Sequence, residues 1–120
     1  MPTPRPEAPA ASLTPAMHHI LLALLEGDLH GYAIMQSVEA LSDGAMRLGP
    51  GTLYGTIKRL LELRLIEETD ERPATDDDER RRYYRLTPSG RETVRQETAR
   101  LARLVKFATR HARRDGEVAA

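Results

Sequence analysis

The chain contains no cysteine and no tryptophan, and its aromatic residues are four tyrosines and one phenylalanine in 120 residues. Without cysteine there is neither a disulfide framework nor a thiolate metal site. No apolar run is long. The longest, Ile20 to Leu25, falls far short of the ~20 residues needed to cross a bilayer. Net charge is also missing, because 18 Lys and Arg balance 18 Asp and Glu. That balance argues against a protein that coats nucleic acid indiscriminately. The N-terminus lacks the charged-then-apolar layout of a secretory leader. The expectation is a soluble cytoplasmic protein with no membrane partner. What is present, 40% hydrophobic and 30% charged residues, suits one domain with a modest core.

The zero net charge conceals an uneven distribution. Residues 69–79 carry six acids and one base, whereas residues 80–85 carry four arginines and no acid. Residues 86–120 carry eight bases and four acids. A nucleic-acid binder needs only a basic face, so neutrality of the whole does not exclude one.

Residues 1–12 are rich in Pro and Ala, lack periodicity and read as a disordered tail. Thr14-Pro15 is a helix cap followed by Pro at the first helical position. Met17, Ile20, Leu21, Leu24 and Leu25 then recur at helical spacing until Gly27-Asp28. A second helix is predicted from about Gly31 to Leu41, ended by Ser42-Asp43-Gly44. A third follows Gly49-Pro50-Gly51 and runs to about Leu63. On a wheel of ~100° per residue, Leu53, Tyr54, Leu60 and Leu61 cluster about Ile57 as a dry face. Thr52, Gly55, Arg59 and Glu62 point the opposite way, with Thr56 and Lys58 on the flanks.

Two strand-like runs follow, residues 65–69 and 82–86, joined by a polar, acidic loop, which predicts a hairpin. In the second run Tyr84 and Leu86 fall on one face, Tyr83 and Arg85 on the other. Thr87-Pro88 opens a last helix that can reach Arg114, about 40 Å at 1.5 Å per residue. Its stripe of Val94, Thr98, Leu101, Val105, Ala108 and Ala112 outruns a core of this size. Either a second copy of the chain covers the stripe, or the helix folds back or frays after Leu104. The order helix, helix, helix, strand, strand, long helix is that of a mostly α fold with a small β-hairpin. It is a winged helix-turn-helix with a C-terminal dimerisation helix.

The residues of the third helix suit DNA. A reading helix needs small or polar residues near its N-terminus to enter a major groove ~12 Å wide. Thr52, Gly55 and Thr56 meet that need, and Lys58 and Arg59 are placed to reach a phosphate or a guanine edge. The plainer reading is an ordinary solvated face. Tyr54 sits at the margin, either packed in the core or offering its hydroxyl to a phosphate. Arg80, Arg81 and Arg82 suit backbone phosphates, or are neutralised by Asp76 to Glu79 just before them. His30 either caps the second helix or meets a phosphate, Gly31 relaxes the backbone there, and Tyr32 reads as core. His18, His19, His30 and His111 show no zinc spacing, and no nucleophile arrangement or phosphate loop appears. No cofactor, metal site or enzyme activity is expected.

Three stretches, ILLALLEGDLHGYAI at 20–34, GTLYGTIKRLLELRLIEE at 51–68 and RRYYRLTPSGRE at 81–92, together resemble the PadR family of transcriptional regulators, in its short form with a single C-terminal helix. The sequence departs from the family's usual pattern with Gly55 and Thr56 after Tyr54, Asp28 before His30, and the acidic run at 76–79 in the wing. The resemblance implies a winged-helix DNA-binding domain over 13–87 and a dimerisation helix over 88–114, with a short tail after it at 115–120. It also implies a homodimer held by the first and last helices. The candidate interface residues are Met17, Leu21 and Leu24 on the first, and Leu101, Leu104, Val105, Phe107 and Ala108 on the last. It further implies repression relieved by a small-molecule effector, although Phe107 is the one aromatic those helices offer. The functional expectation is a homodimeric repressor on a pseudo-palindromic double-stranded DNA operator. The alternative is a winged-helix protein-interaction module that does not bind DNA.

Overall fold

Thr14 caps the first helix: its Oγ1 accepts a hydrogen bond from the Met17 N–H at 3.1 Å. The computed structural model describes residues 13–71 and 81–114. Helix α1 spans Pro15–Ala23 and tightens into a 3-10 turn at Leu24–Glu26. Gly27 ends it with φ 149°, a backbone region that side-chain-bearing residues rarely adopt. Strand β1 is only Leu29–His30, and α2 covers Gly31–Leu41. The Ser42 turn, in which Ser42 Oγ accepts from the Met46 N–H at 2.9 Å, leads to α3 at Pro50–Glu62. Strands β2 (Ile66–Thr69) and β3 (Tyr83–Leu86) precede α4, which runs unbroken from Pro88 to Arg114.

The sheet differs from the expected hairpin by one strand. Its order is β1-β3-β2, antiparallel throughout. β2 pairs with β3 so that Glu67 faces Arg85 and Glu68 faces Tyr84, and β1 adds Leu29 opposite Tyr84 and His30 opposite Tyr83. Two residues are too few for alternation to announce a strand. The added strand makes β3 the central strand, and both faces of β3 are buried near its start. Tyr83 is buried, as Tyr84 and Leu86 are, and the His30 ring stands edge-on to it with centroids 5.3 Å apart.

Helices α1, α2 and α3 share one core with the inner edge of the sheet. Ile20, Leu21, Leu24, Ile34, Val38, Leu53, Ile57, Leu60, Leu65 and Ile66 are its fully buried side chains. Losing one such leucine costs about 2–5 kcal/mol. The N-terminal half of α4 completes the body. Thr87 Oγ1 accepts from the Gly90 N–H at 3.0 Å and donates to the Arg64 carbonyl at 2.8 Å. Gly90 lies against the Leu65 carbonyl, where a Cβ would collide with backbone. Val94 is the last side chain of α4 in the main core. Beyond it the helix neither folds back nor frays, and Leu104, Val105 and Phe107 are 53%, 63% and 56% exposed.

The inward side of α1 corrects one expectation. Met17, Leu21 and Leu24 are buried within a single subunit and present no surface to a second chain. An apolar stripe on a helix shows that something covers it, but not which chain does so. The proposed tails at 1–12 and 115–120, and the acidic run at 76–79, lie outside the described residues.

Candidate nucleic-acid interface

The outer face of α3 is small at its start and basic in its middle. Leu53, Ile57 and Leu60 hold the helix to the core, while Thr52, Gly55, Lys58 and Arg59 are exposed and Thr56 is half-buried. Gly49 and Pro50 open the helix, and Gly49 offers no capping side chain. The first N–H groups therefore stay unclaimed by any side-chain cap. Thr56 Oγ1 donates to the Thr52 carbonyl at 2.7 Å, which draws that hydroxyl back onto the helix. Arg59 Nη1 lies 3.5 Å from Glu62 Oε1, both side chains being more than half exposed. An exposed pair of this kind contributes about 0–1 kcal/mol, so the guanidinium is available to a competing anion.

The glycines separate into two kinds. At Gly49, Gly51 and Gly55 an added Cβ would meet nothing within 4 Å. The chain's own packing gives no reason for glycine at 55, inside a helix, where it costs about 1 kcal/mol relative to Ala. Gly31 is the opposite case. It was expected to relax the backbone, but its φ is not positive; the Tyr54 ring and hydroxyl fill the space a side chain would need.

The wing arginines are committed across the sheet. Arg82 Nη1 lies 3.0 Å from Glu68 Oε1, and Arg85 contacts Glu67 at 3.0 Å and Glu71 at 3.4 Å. The hydrogen bond that Arg85 Nε donates to Glu67 holds the Arg85 pKa above its ordinary value. Among the described residues, the acids paired with Arg82 and Arg85 stand on the facing strand and just past its end. Arg81 is exposed beside Arg82, and Arg80 lies outside the described residues.

Two features escaped the sequence reading. Tyr32, expected in the core, is 56% exposed, much as Tyr54 is at 50%. Tyr32 lies ~200° around α2 from Ile34, a signal the wheel contained. His30 caps α2, its Nδ1 accepting from the Ala33 N–H at 3.2 Å. The second feature is a buried polar cluster between α1 and α4. Glu97 is buried and bound by Arg100 through hydrogen bonds of 2.9 and 2.6 Å, which hold its carboxyl below the usual range. His18 is buried nearby, and its Nε2 finds no partner among the described residues. Burial lowers the His18 pKa, and Glu97 opposes that shift.

A family model described as the transcriptional regulator PadR-like family matches residues 20–96. The chain belongs to this family. Two relatives sharpen the comparison. A transcriptional regulator of Mycobacterium tuberculosis is 34% identical over 88 residues, covering 73% of this chain and 77% of that one. An uncharacterised 37.1 kDa protein in transposon TN4556 of Streptomyces fradiae is 42% identical over 85 residues. The match takes in 71% of this chain but spans only 22% of the transposon protein. In fold, the PadR-like chain is similar to the H. salinarum protein RosR, solved in a complex, with a TM-score of 0.68, 27% identity, and coverage of 96% and 94% of the two chains.

Proposed function

We propose that this PadR-like chain is a homodimeric, sequence-specific DNA-binding repressor. The outer face of α3 carries the reading: Thr52 and an unconstrained Gly55 beside Lys58 and Arg59 let backbone approach a base edge. A second copy would cover Leu101, Leu104, Val105, Phe107 and Ala108 on α4. That pairing would set two α3 helices on one face of the duplex, with half-sites one helical turn apart. Phosphate contacts supply affinity, and the α3 face supplies sequence choice. An effector that relieved repression would act at the α4 interface, where Phe107 is the available aromatic.

The test is a gel shift on the DNA upstream of the protein's own gene at about 50 mM salt, where phosphate contacts are strongest. The expected result is a shift that competing random DNA does not abolish. Arg59→Ala should weaken specific binding by about 1–3 kcal/mol if the side chain contacts a base. Equal loss on specific and random DNA would reassign Arg59 to a phosphate. A protein-interaction module is the second reading, favoured by the pairing of Arg82 and Arg85 with Glu67, Glu68 and Glu71. That module would give no shift.

A further inference from the structure

An open groove of about 500 Å³ lies between the start of α2, the middle of α3 and the base of the wing. Tyr32, Tyr54, Arg81 and Arg82 rise around it, with Tyr84 at its floor. The chain's four tyrosines divide here. Tyr83 and Tyr84 are buried, while Tyr32 and Tyr54 are exposed and both line this groove.

We propose that the groove seats a backbone phosphate of DNA, and that Tyr32 is a contact residue there. The inference rests on the DNA-binding reading and deepens it. Tyr54 precedes Gly55, so the groove borders the α3 face that enters the major groove. A helix inserted between two phosphate rows ~12 Å apart must have one row along each flank. On this flank stand phenol hydroxyls, which donate to phosphate oxygens, and guanidinium groups, which supply charge. The contact of Tyr54 with Gly31 holds that ring at the start of α2, one residue from Tyr32. Arg82 holds Glu68 through an exposed pair at 3.0 Å. A phosphate competes for such a pair without displacing any buried group. Phosphates carry no sequence information, so this seat serves every duplex alike.

The experiment is fluorescence anisotropy on the full chain with two labelled duplexes of equal length, one from the upstream region and one random. Salt is varied from about 50 to about 200 mM. Tyr32→Phe should lose about 10- to 100-fold in affinity on both duplexes alike, the effect of one hydrogen bond to a charged group. Arg82→Ala should lower the slope of log K against log salt by about 0.9 per phosphate released. Both side chains are exposed, so melting curves like the wild type's serve as the folding control. Wild-type affinity in both Tyr32→Phe and Tyr32→Ala, or an unchanged slope in Arg82→Ala, overturns the seat. If Arg59→Ala still impairs binding in that case, the DNA reading stands without the seat. A wild-type chain that binds neither duplex overturns both.

Discussion

The hydroxyl of Tyr54 occupies the space that a Cβ on Gly31 would need, so the middle of α3 is keyed to the start of α2. The obstructing atoms belong to the end of a rotatable side chain. Gly31→Ala should therefore fold, with Tyr54 displaced, and should bind DNA more weakly. Gly55 offers the contrast, since a Cβ there meets open space. Gly55→Ala should stabilise the protein by about 1 kcal/mol in urea unfolding yet reduce DNA affinity. A Gly55→Ala variant that is more stable and binds DNA normally would show that no duplex approaches this position closely.

The second half of α4 carries its apolar side chains without cover from its own subunit. Leu104→Glu with Phe107→Glu should shift the protein from dimer to monomer in sedimentation equilibrium. Both side chains are more than half exposed, so the subunit should still fold and unfold cooperatively, with a melting point lowered by the lost association. A wild-type protein that sediments as a monomer would show that no second copy covers α4.

The buried cluster predicts a pH dependence. His18 is surrounded by Glu97, His19 and Arg100, and burial sets its folded pKa below the ordinary 6.5. Between 6.5 and that lower value the unfolded chain binds more protons than the folded one. Stability therefore falls as pH drops below about 6.5 and levels off under the folded pKa. Glu97, held down by Arg100 from an ordinary value of 4.5, contributes stability above that value and loses it only as pH falls further, through its folded pKa. The midpoint of thermal unfolding should decrease from about pH 7.5 to about pH 5.5. His18→Gln should flatten that decrease and leave the more acidic loss in place. An equal decrease in both proteins would remove His18 as its source.

What the sequence disclosed depended on how local the physics was. Thr14-Pro15 and Thr87-Pro88 marked two helix starts to the residue, because a cap involves neighbours only. The outward face of α3 followed from the wheel, with Tyr54 alone projecting further than expected. Beyond the hairpin of β2 and β3, non-local pairings stayed hidden. Leu29–His30 became a strand only because β3 lay beside it. The acids opposite Arg82 and Arg85 were set by strand register, which the sequence does not display. Met17, Leu21 and Leu24 were visible as apolar, but their covering by this chain's own α2, α3 and α4 was not.

The arrangement of two α3 helices on one duplex is tested most directly by hydroxyl-radical footprinting of the upstream region with purified protein. The expected result is two protected patches per strand whose centres lie about 10–10.5 base pairs apart, related by a pseudo-twofold axis. Uniform cleavage at saturating protein and about 50 mM salt, or one isolated patch, would contradict it.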